Sequence, residues 1–511
     1  MTPVTAMMQA SPAMLASEAP AVLRLHPEDM VAVALRPLTE REVIQGADGP
    51  VRLAEAVPQG HKVALVDLPA GAEVRKFGWP IGRLTHAVAA GAHVHTHNLE
   101  TLLSGVETYR FSPVPGASLP QDRVTSFQGY RRPDGRVGTR NEIWILPTVG
   151  CVARTADRIA AIASARYRGQ VDGVHAFSHP FGCSQLGEDL AGTRAILAAL
   201  ACHPNAGGVL LIGLGCESNQ LDLLMAEIPE ALRGRVRALR TQEVEDEVEA
   251  GLALVESLAA TAALASRQPA ALSELVVGLK CGGSDGFSGL TANPLLGRIA
   301  DRVVGSGGSA ILTEIPEIFG AERLLMARAR DADTFDRIVG VVNDFKRYFL
   351  GHGQPVSENP SPGNLAGGIT TLEEKSLGAV QKAGQANVAD VLRYGERLRR
   401  KGLTLLEAPG NDAVSSTALA AAGATMILFT TGRGTPLGFP VPTVKIASNA
   451  ALATRKRNWI DFDASAVLSD GFSSTTDHLV DRLAAFASGE ETASERNGER
   501  EIAIWKRGVT L

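Results

Sequence analysis

After Gly129 the chain alternates short, continuous apolar runs with helix-length stretches, and this alternation restricts the fold more than any other feature. Residues 142–146, 173–177 and 208–213 read as strands, with helices over 155–167 and 187–201 between them. The runs 275–279, 310–313 and 425–429 read as further buried strands. A strand apolar along its whole length is covered on both faces, and strands that alternate with helices build βαβ units with a mainly parallel sheet. Residues 22–112 have a different texture: short runs such as Val31–Leu35 and Lys62–Val66, punctuated by Gly60, Gly71, Gly78, Gly82 and Gly91. That pattern predicts a small β-rich module. Residues 113–128 have linker composition, and residues 1–21 read as a frayed tail. The expected class is α/β: the β-rich module, then a large body with lobes at 129–268 and 269–511.

Composition excludes several functions. Fifty basic and 55 acidic residues leave a net charge of −5 over 511 residues, which argues against a nucleic-acid binder. There is no uncharged apolar run long enough to span a membrane; the segment Gly251–Ala265 is interrupted by Glu256. No Lys or Arg precedes Arg24, so the start does not read as a secretory signal. Five scattered cysteines are not a disulfide framework and predict reduced thiols in the cytoplasm. A soluble metabolic enzyme of this kind is expected to form a homo-oligomer, with a dimer first among the options.

The chemistry-bearing residues gather where strands end, the place where open α/β sheets bind ligands. Cys151 follows the first strand of the body, His179 and Cys183 the second, Cys216 and Glu217 the third, and Cys281, Ser284 and Asp285 a later one. Such thiol, imidazole and carboxylate groups suit Fe²⁺ or Zn²⁺, although cysteine also serves simply to fill cores. Cys202, at a helix end before His203-Pro204, is read that way. In His93-Val-His95-Thr-His97, strand alternation places three imidazoles on one face, for metal binding or proton transfer, or as a polar surface. Four arginines occupy residues 131–140, matching either a carboxylate or a solvated turn. Polar glycine loops at 281–289, 367–375 and 431–436 let backbone N–H groups approach an anion. None is a P-loop or a dinucleotide fingerprint, so the expected anion is a hydroxylated carboxylate substrate.

Taken together these segments resemble the altronate and galactarate dehydratases, with sulfolactate sulfo-lyase as a relative. The resemblance is carried by Gly60–Leu65, Gly91–Asn98, Gly135–Glu142, Pro147–Cys151, His179–Ser184, His203–Gly207 and Gly213–Glu217. It continues through Cys281–Gly286, Glu358–Asn364, Gly367–Ser376, Ala408–Ala413 and Trp459–Asp463. The block Phe177-Ser-His179 and the ending Gly508–Leu511 resemble the altronate branch. The resemblance implies an N-terminal SAF-type β-clip module and an α/β dehydratase body. It also implies dehydration of D-altronate to 2-dehydro-3-deoxy-D-gluconate in hexuronate breakdown, with Fe²⁺, or Mn²⁺ as a substitute. Galactarate or a sulfonate substrate on the same fold is an alternative, as is a sugar-acid-binding protein without catalysis.

The expected roles follow the chemistry. His95 and His97 are metal or proton-transfer residues, and Cys151, Cys183, Cys216 and Cys281 form a rival iron site. Arg140 and Arg433 are expected to meet the substrate carboxylate, and Lys375 to act as base or enediolate partner. His179 is expected to be the general acid. Asn141, Ser284, Asp285, Asn364, Thr371 and Asn411 are expected to contact hydroxyls.

Overall fold

The computed structural model describes residues 20–46, 49–122 and 124–510. The expected tail lies almost wholly outside the described residues. The N-terminal module is built from short antiparallel strands. One four-stranded sheet runs in the order Val22–Leu23, Val31–Ala34, Lys62–Ala64, His93–Val94. A three-stranded sheet joins Glu73–Lys76, Trp79–Leu84 and Leu99–Glu100, and a hairpin joins Val43–Gln45 to Pro50–Arg52. The last module strand therefore ends at Glu100. A body strand, Ser126–Arg131, begins inside the segment read as linker. It pairs with Val137–Gly138 and Gln268–Ala271.

The first lobe is a four-stranded parallel sheet ordered Gly173–Ala176, Glu142–Pro147, Ala206–Gly213, Val236–Arg240. Its central strands are buried along their lengths, as their unbroken apolar runs require. Helices Ala153–Arg166, Gly187–Ala201 and Glu247–Ala262 accompany it. The last is capped by Asp246, whose carboxylate accepts from the Val248 and Glu249 N–H groups. It buries one face through Val255, Leu258, Ala259 and Ala262. Among the described residues no helix is long and apolar enough to cross a membrane.

The second lobe is a seven-stranded parallel sheet. Its order is Val388–Leu392, Gly402–Leu406, Ser309–Leu312, Val276–Cys281, Met426–Thr431, Thr443–Ala447, Phe462–Asp463. The module is not a loose appendage on this lobe. Val31, Ala64, Phe77 and Ile81 belong to the same apolar core as Leu279, Leu372 and Leu377. Each fully buried Val, Ile, Leu or Phe side chain among these contributes about 1.5–3 kcal/mol, so module and second lobe are held as one packed unit.

Candidate functional site

The seam between module and second lobe carries the densest polar chemistry. Strand pairing sets Val63 opposite His93, which brings His61, just before its strand, beside His93 and His95. The ring centroids lie 4.8–5.4 Å apart, and His61 Nδ1 is 3.0 Å from His93 Nε2. One nitrogen from each of the three lies within 4.8 Å of the others. Burial, then the surrounding imidazoles, pushes His93 down to about 3. Burial, then the Lys62 ammonium, pushes His95 down to about 4, and burial also lowers His61. The three rings are therefore neutral near pH 7, the form that binds a metal. A cluster of imidazoles alone, His61 buried and the other two half-buried, without a carboxylate, suits a borderline divalent ion.

His97 does not belong to this set, contrary to its expected place among the ligands. The strand ends at Val94 and the chain turns, with the Asn98 and Leu99 N–H groups both donating to the His95 carbonyl. This turn after His95 ends the alternation, so His97 is exposed, its ring 5.5 Å from His93.

The body meets this cluster directly. His95 Nδ1 lies 3.1 Å from Thr370 Oγ1, and His61 Nε2 lies 3.4 Å from the Ala366 carbonyl. Lys62, fully buried, donates to the Gly368 carbonyl, Thr370 Oγ1 and Glu374, and Lys76 donates to the other Glu374 oxygen at 2.7 Å. The two ammoniums hold Glu374 down at about 2 despite its burial. Burial pulls Lys62 to about 8, because one carboxylate shared with Lys76 offsets only part of the desolvation. Contact here is too close for side chains: a Cβ on Gly286 would lie 2.0 Å from the Gly60 carbonyl oxygen, and one on Gly368 would lie 2.3 Å from it.

Behind the seam, helix Leu372–Ala379 presents Lys375, whose ammonium donates to Glu317 at 2.8 Å, Asn359 at 2.9 Å and Asn364 at 3.3 Å. Asn364 donates to the Ser284 carbonyl and accepts from Ser361. Asp285 is half-buried and organises its loop by accepting from Ser288, Ser448 and Asn449. Arg433 is exposed beside Gly283 and makes one long contact, 3.4 Å, to the Gly363 carbonyl. Asn411 stands at the edge as the cap of helix Asp412–Ala422, and its neighbour Gly410 lies against Glu317. Lys375, Asn364, Ser284, Asp285 and Arg433 are thus brought together, with Asn411 at their rim.

Other expected contacts are taken up by the fold. Thr371 caps the Lys375 helix and donates to the Ile81 carbonyl, so its hydroxyl tethers the module instead of facing a ligand. Arg140 makes paired 2.9 Å bonds to Glu495 and donates to the carbonyls of Thr139, Phe486 and Glu490; its fork joins the first lobe to the C-terminal segment. Asn141 bridges Arg132 and the Ala262 carbonyl. His179 is buried between the Pro147 carbonyl and the Phe181 N–H. Cys281 is buried against Ser284 Oγ at 2.6 Å, and burial pushes its thiol up, so it does not join Cys151, Cys183 and Cys216, which are exposed on the first lobe.

Three residues with chemistry escaped the sequence reading. His61 sits in Gly60-His-Lys62, where nothing local announces its partner 32 positions away. His93 lay on the expected face but carried no role. Glu317 follows a buried strand in the same way as the cysteines do, and that signal was available. It pairs with Lys375 through Oε1 while Oε2 is buried with no hydrogen-bond partner, and burial raises its pKa against the pull of Lys375.

Comparison with known proteins agrees with this division of the chain. Residues 20–102 match the family described as the altronate/galactarate dehydratase SAF domain, and residues 129–263 the D-galactarate dehydratase/altronate hydrolase second domain. Residues 272–510 match the D-galactarate/altronate dehydratase C-terminal region. The chain is 51% identical to an altronate dehydratase of Escherichia coli (strain K12) over 492 residues, 96% of this chain and 99% of the relative. It is 46% identical to an altronate dehydratase of Bacillus subtilis (strain 168), again over 96% and 99% of the two chains. A galactarate dehydratase (L-threo-forming) of Escherichia coli (strain K12) is 34% identical over 87% of this chain and 88% of its own.

Proposed function

The chain belongs to the D-galactarate/altronate dehydratase family, and from that premise we propose that it converts D-altronate to 2-dehydro-3-deoxy-D-gluconate and water. It is a sugar-acid dehydratase, a hydro-lyase. The observation that carries the site assignment is the neutral triad His61, His93 and His95, pressed against the loop that also positions Lys375 through Asn364.

A C2 proton beside a carboxylate is very weakly acidic, so its removal requires a placed base and stabilised charge. Lys375 and Arg433 supply positive charge to the substrate carboxylate and to the enediolate that forms from it. Glu317, with its free Oε2 and raised pKa, accepts the C2 proton. The C3 hydroxyl leaves as water after taking a proton from His97, exposed beside the triad. The resulting enol then tautomerises to the 2-keto acid. The triad holds divalent iron, with manganese as a substitute, and such an ion when bound supplies Lewis-acid stabilisation of the building charge. Five cysteines free of disulfides suit a reducing compartment, which supports a cytoplasmic location.

The test is anaerobic turnover with added Fe²⁺ on D-altronate, galactarate and sulfolactate in parallel, with products identified by mass spectrometry. Formation of 2-dehydro-3-deoxy-D-gluconate from altronate at the highest kcat/KM is expected. Faster turnover of galactarate or sulfolactate would assign the chain to another branch, and binding without turnover would remove the catalytic reading.

A further inference from the structure

The five thiols divide by environment. Cys202 and Cys281 are buried; Cys151, Cys183 and Cys216 are exposed. Cysteine is among the residues most often buried, so three exposed thiols on one edge call for a cause. Each directly follows a glycine, and each lies in the loop beyond one of three adjacent parallel strands. The central strand is Glu142–Pro147, flanked by Gly173–Ala176 and Ala206–Gly213.

The three loops are bonded to one another. Gly150 N–H donates to the Phe181 carbonyl at 2.9 Å, and Thr148 Oγ1 donates to Glu217 at 2.6 Å. Asn219 donates from its backbone to the Gly182 carbonyl at 2.9 Å and from Nδ2 to the Thr148 carbonyl at 3.2 Å. Glu217 and Asn219 are buried, and Glu217 also accepts from the Leu214 and Gly215 N–H groups. A Cβ on Gly182 would lie 2.0 Å from the Thr148 carbonyl oxygen, so the loops are packed backbone to backbone. The result is a rigid platform from which the thiols project.

Among the described residues, the histidine triad is the only set of three ligands close enough for one ion, so the thiols spread wider than a single ion's shell. Two candidates for a fourth ligand on these loops are engaged: both ring nitrogens of His179, and both oxygens of Glu217. Three thiols on mutually bonded loops at the ends of adjacent strands, set too far apart for one ion, match a cluster of several irons bridged by sulfide, which thiolates hold. We propose that Cys151, Cys183 and Cys216 bind an iron–sulfur cluster on the open edge of the first lobe, leaving one iron without a protein ligand. This site is separate from the histidine triad and does not depend on it.

The experiment is anaerobic reconstitution of the full chain with iron salts and sulfide, followed by iron and acid-labile sulfide analysis and visible absorption spectra. Wild-type protein should take up about four sulfides and about five irons per chain, about four irons in the cluster and one at the histidine triad. Cys151→Ser, Cys183→Ser and Cys216→Ser should each lose most of the labile sulfide and the visible absorption. Thermal unfolding of the metal-free variants checks that these exposed substitutions leave the fold intact. His93→Ala should keep the sulfide. Wild-type protein that binds iron without sulfide, a triple serine variant that still forms the chromophore, or loss of sulfide in His93→Ala would each overturn the proposal. No substrate enters the assay, so its failure leaves the dehydratase reading untouched.

Discussion

The two parallel sheets of the body both end in loops bearing thiols and polar groups, but one edge is covered and the other is open. On the second lobe the loop Cys281–Gly289 lies beneath Gly60 and Phe77 of the module, and Cys281 is buried against Ser284. On the first lobe the corresponding thiols Cys151, Cys183 and Cys216 face solvent. The same residue type at equivalent strand ends thus has different chemistry, because a neighbour's docking decides whether a strand end becomes a dry, charge-paired pocket or a wet platform. Low dielectric makes each charge interaction stronger on the covered side and each unpaired charge costlier there.

Substitutions on the covered edge should therefore have large effects and those on the open edge small ones. Lys375→Met should lower kcat on the order of 10²–10⁴-fold if the ammonium acts on the reacting atoms; steady-state kinetics with the fold checked by circular dichroism decides this. Glu374→Gln leaves Lys62 and Lys76 buried without their shared carboxylate. The expected loss is about 3–5 kcal/mol in denaturant unfolding, and an unchanged midpoint would mean that the module is not anchored there. The same carboxylate gives a pH signature. Its pKa is depressed from 4.5 to about 2, so its stabilising contribution is complete above 4.5 and is lost as pH falls toward 2. Acid unfolding of wild type should be steeper in that window than that of Glu374→Gln. Cys281→Ala, which removes a buried thiol and its Ser284 contact, should cost about 1–3 kcal/mol. Cys151→Ser, Cys183→Ser or Cys216→Ser in the metal-free chain should shift stability by less than about 0.5 kcal/mol.

The body's strands were legible because burial on both faces leaves an unbroken apolar run: residues 142–146, 208–213 and 310–313 read as strands and lie within or overlap the observed ones. The site was legible only in part. Ser284, Asp285 and Lys375 lie in glycine loops visible in the local sequence and Asn364 lies in a segment of the family resemblance, and the structure brings the four together. Arg140 was misplaced because its partner Glu495 lies 355 positions downstream, and no local pattern signals a fork already occupied. His61 was missed for the converse reason, since its partners come from strand pairing and domain docking. His97 was included because the end of a two-residue strand cannot be read from alternation.

The central claim is that the module brings His61, His93 and His95 together as the metal site of a dehydratase. It is tested most directly by titrating metal-free enzyme with Fe²⁺ under anaerobic conditions while following altronate dehydration, in wild type and in His93→Ala. The account predicts saturable activation of the wild type and, in the variant, activation weaker by at least ~100-fold in kcat/KM, on the scale of losing a Lewis acid's stabilisation of the transition state. Equal activation of the two proteins at the same iron concentrations would contradict it.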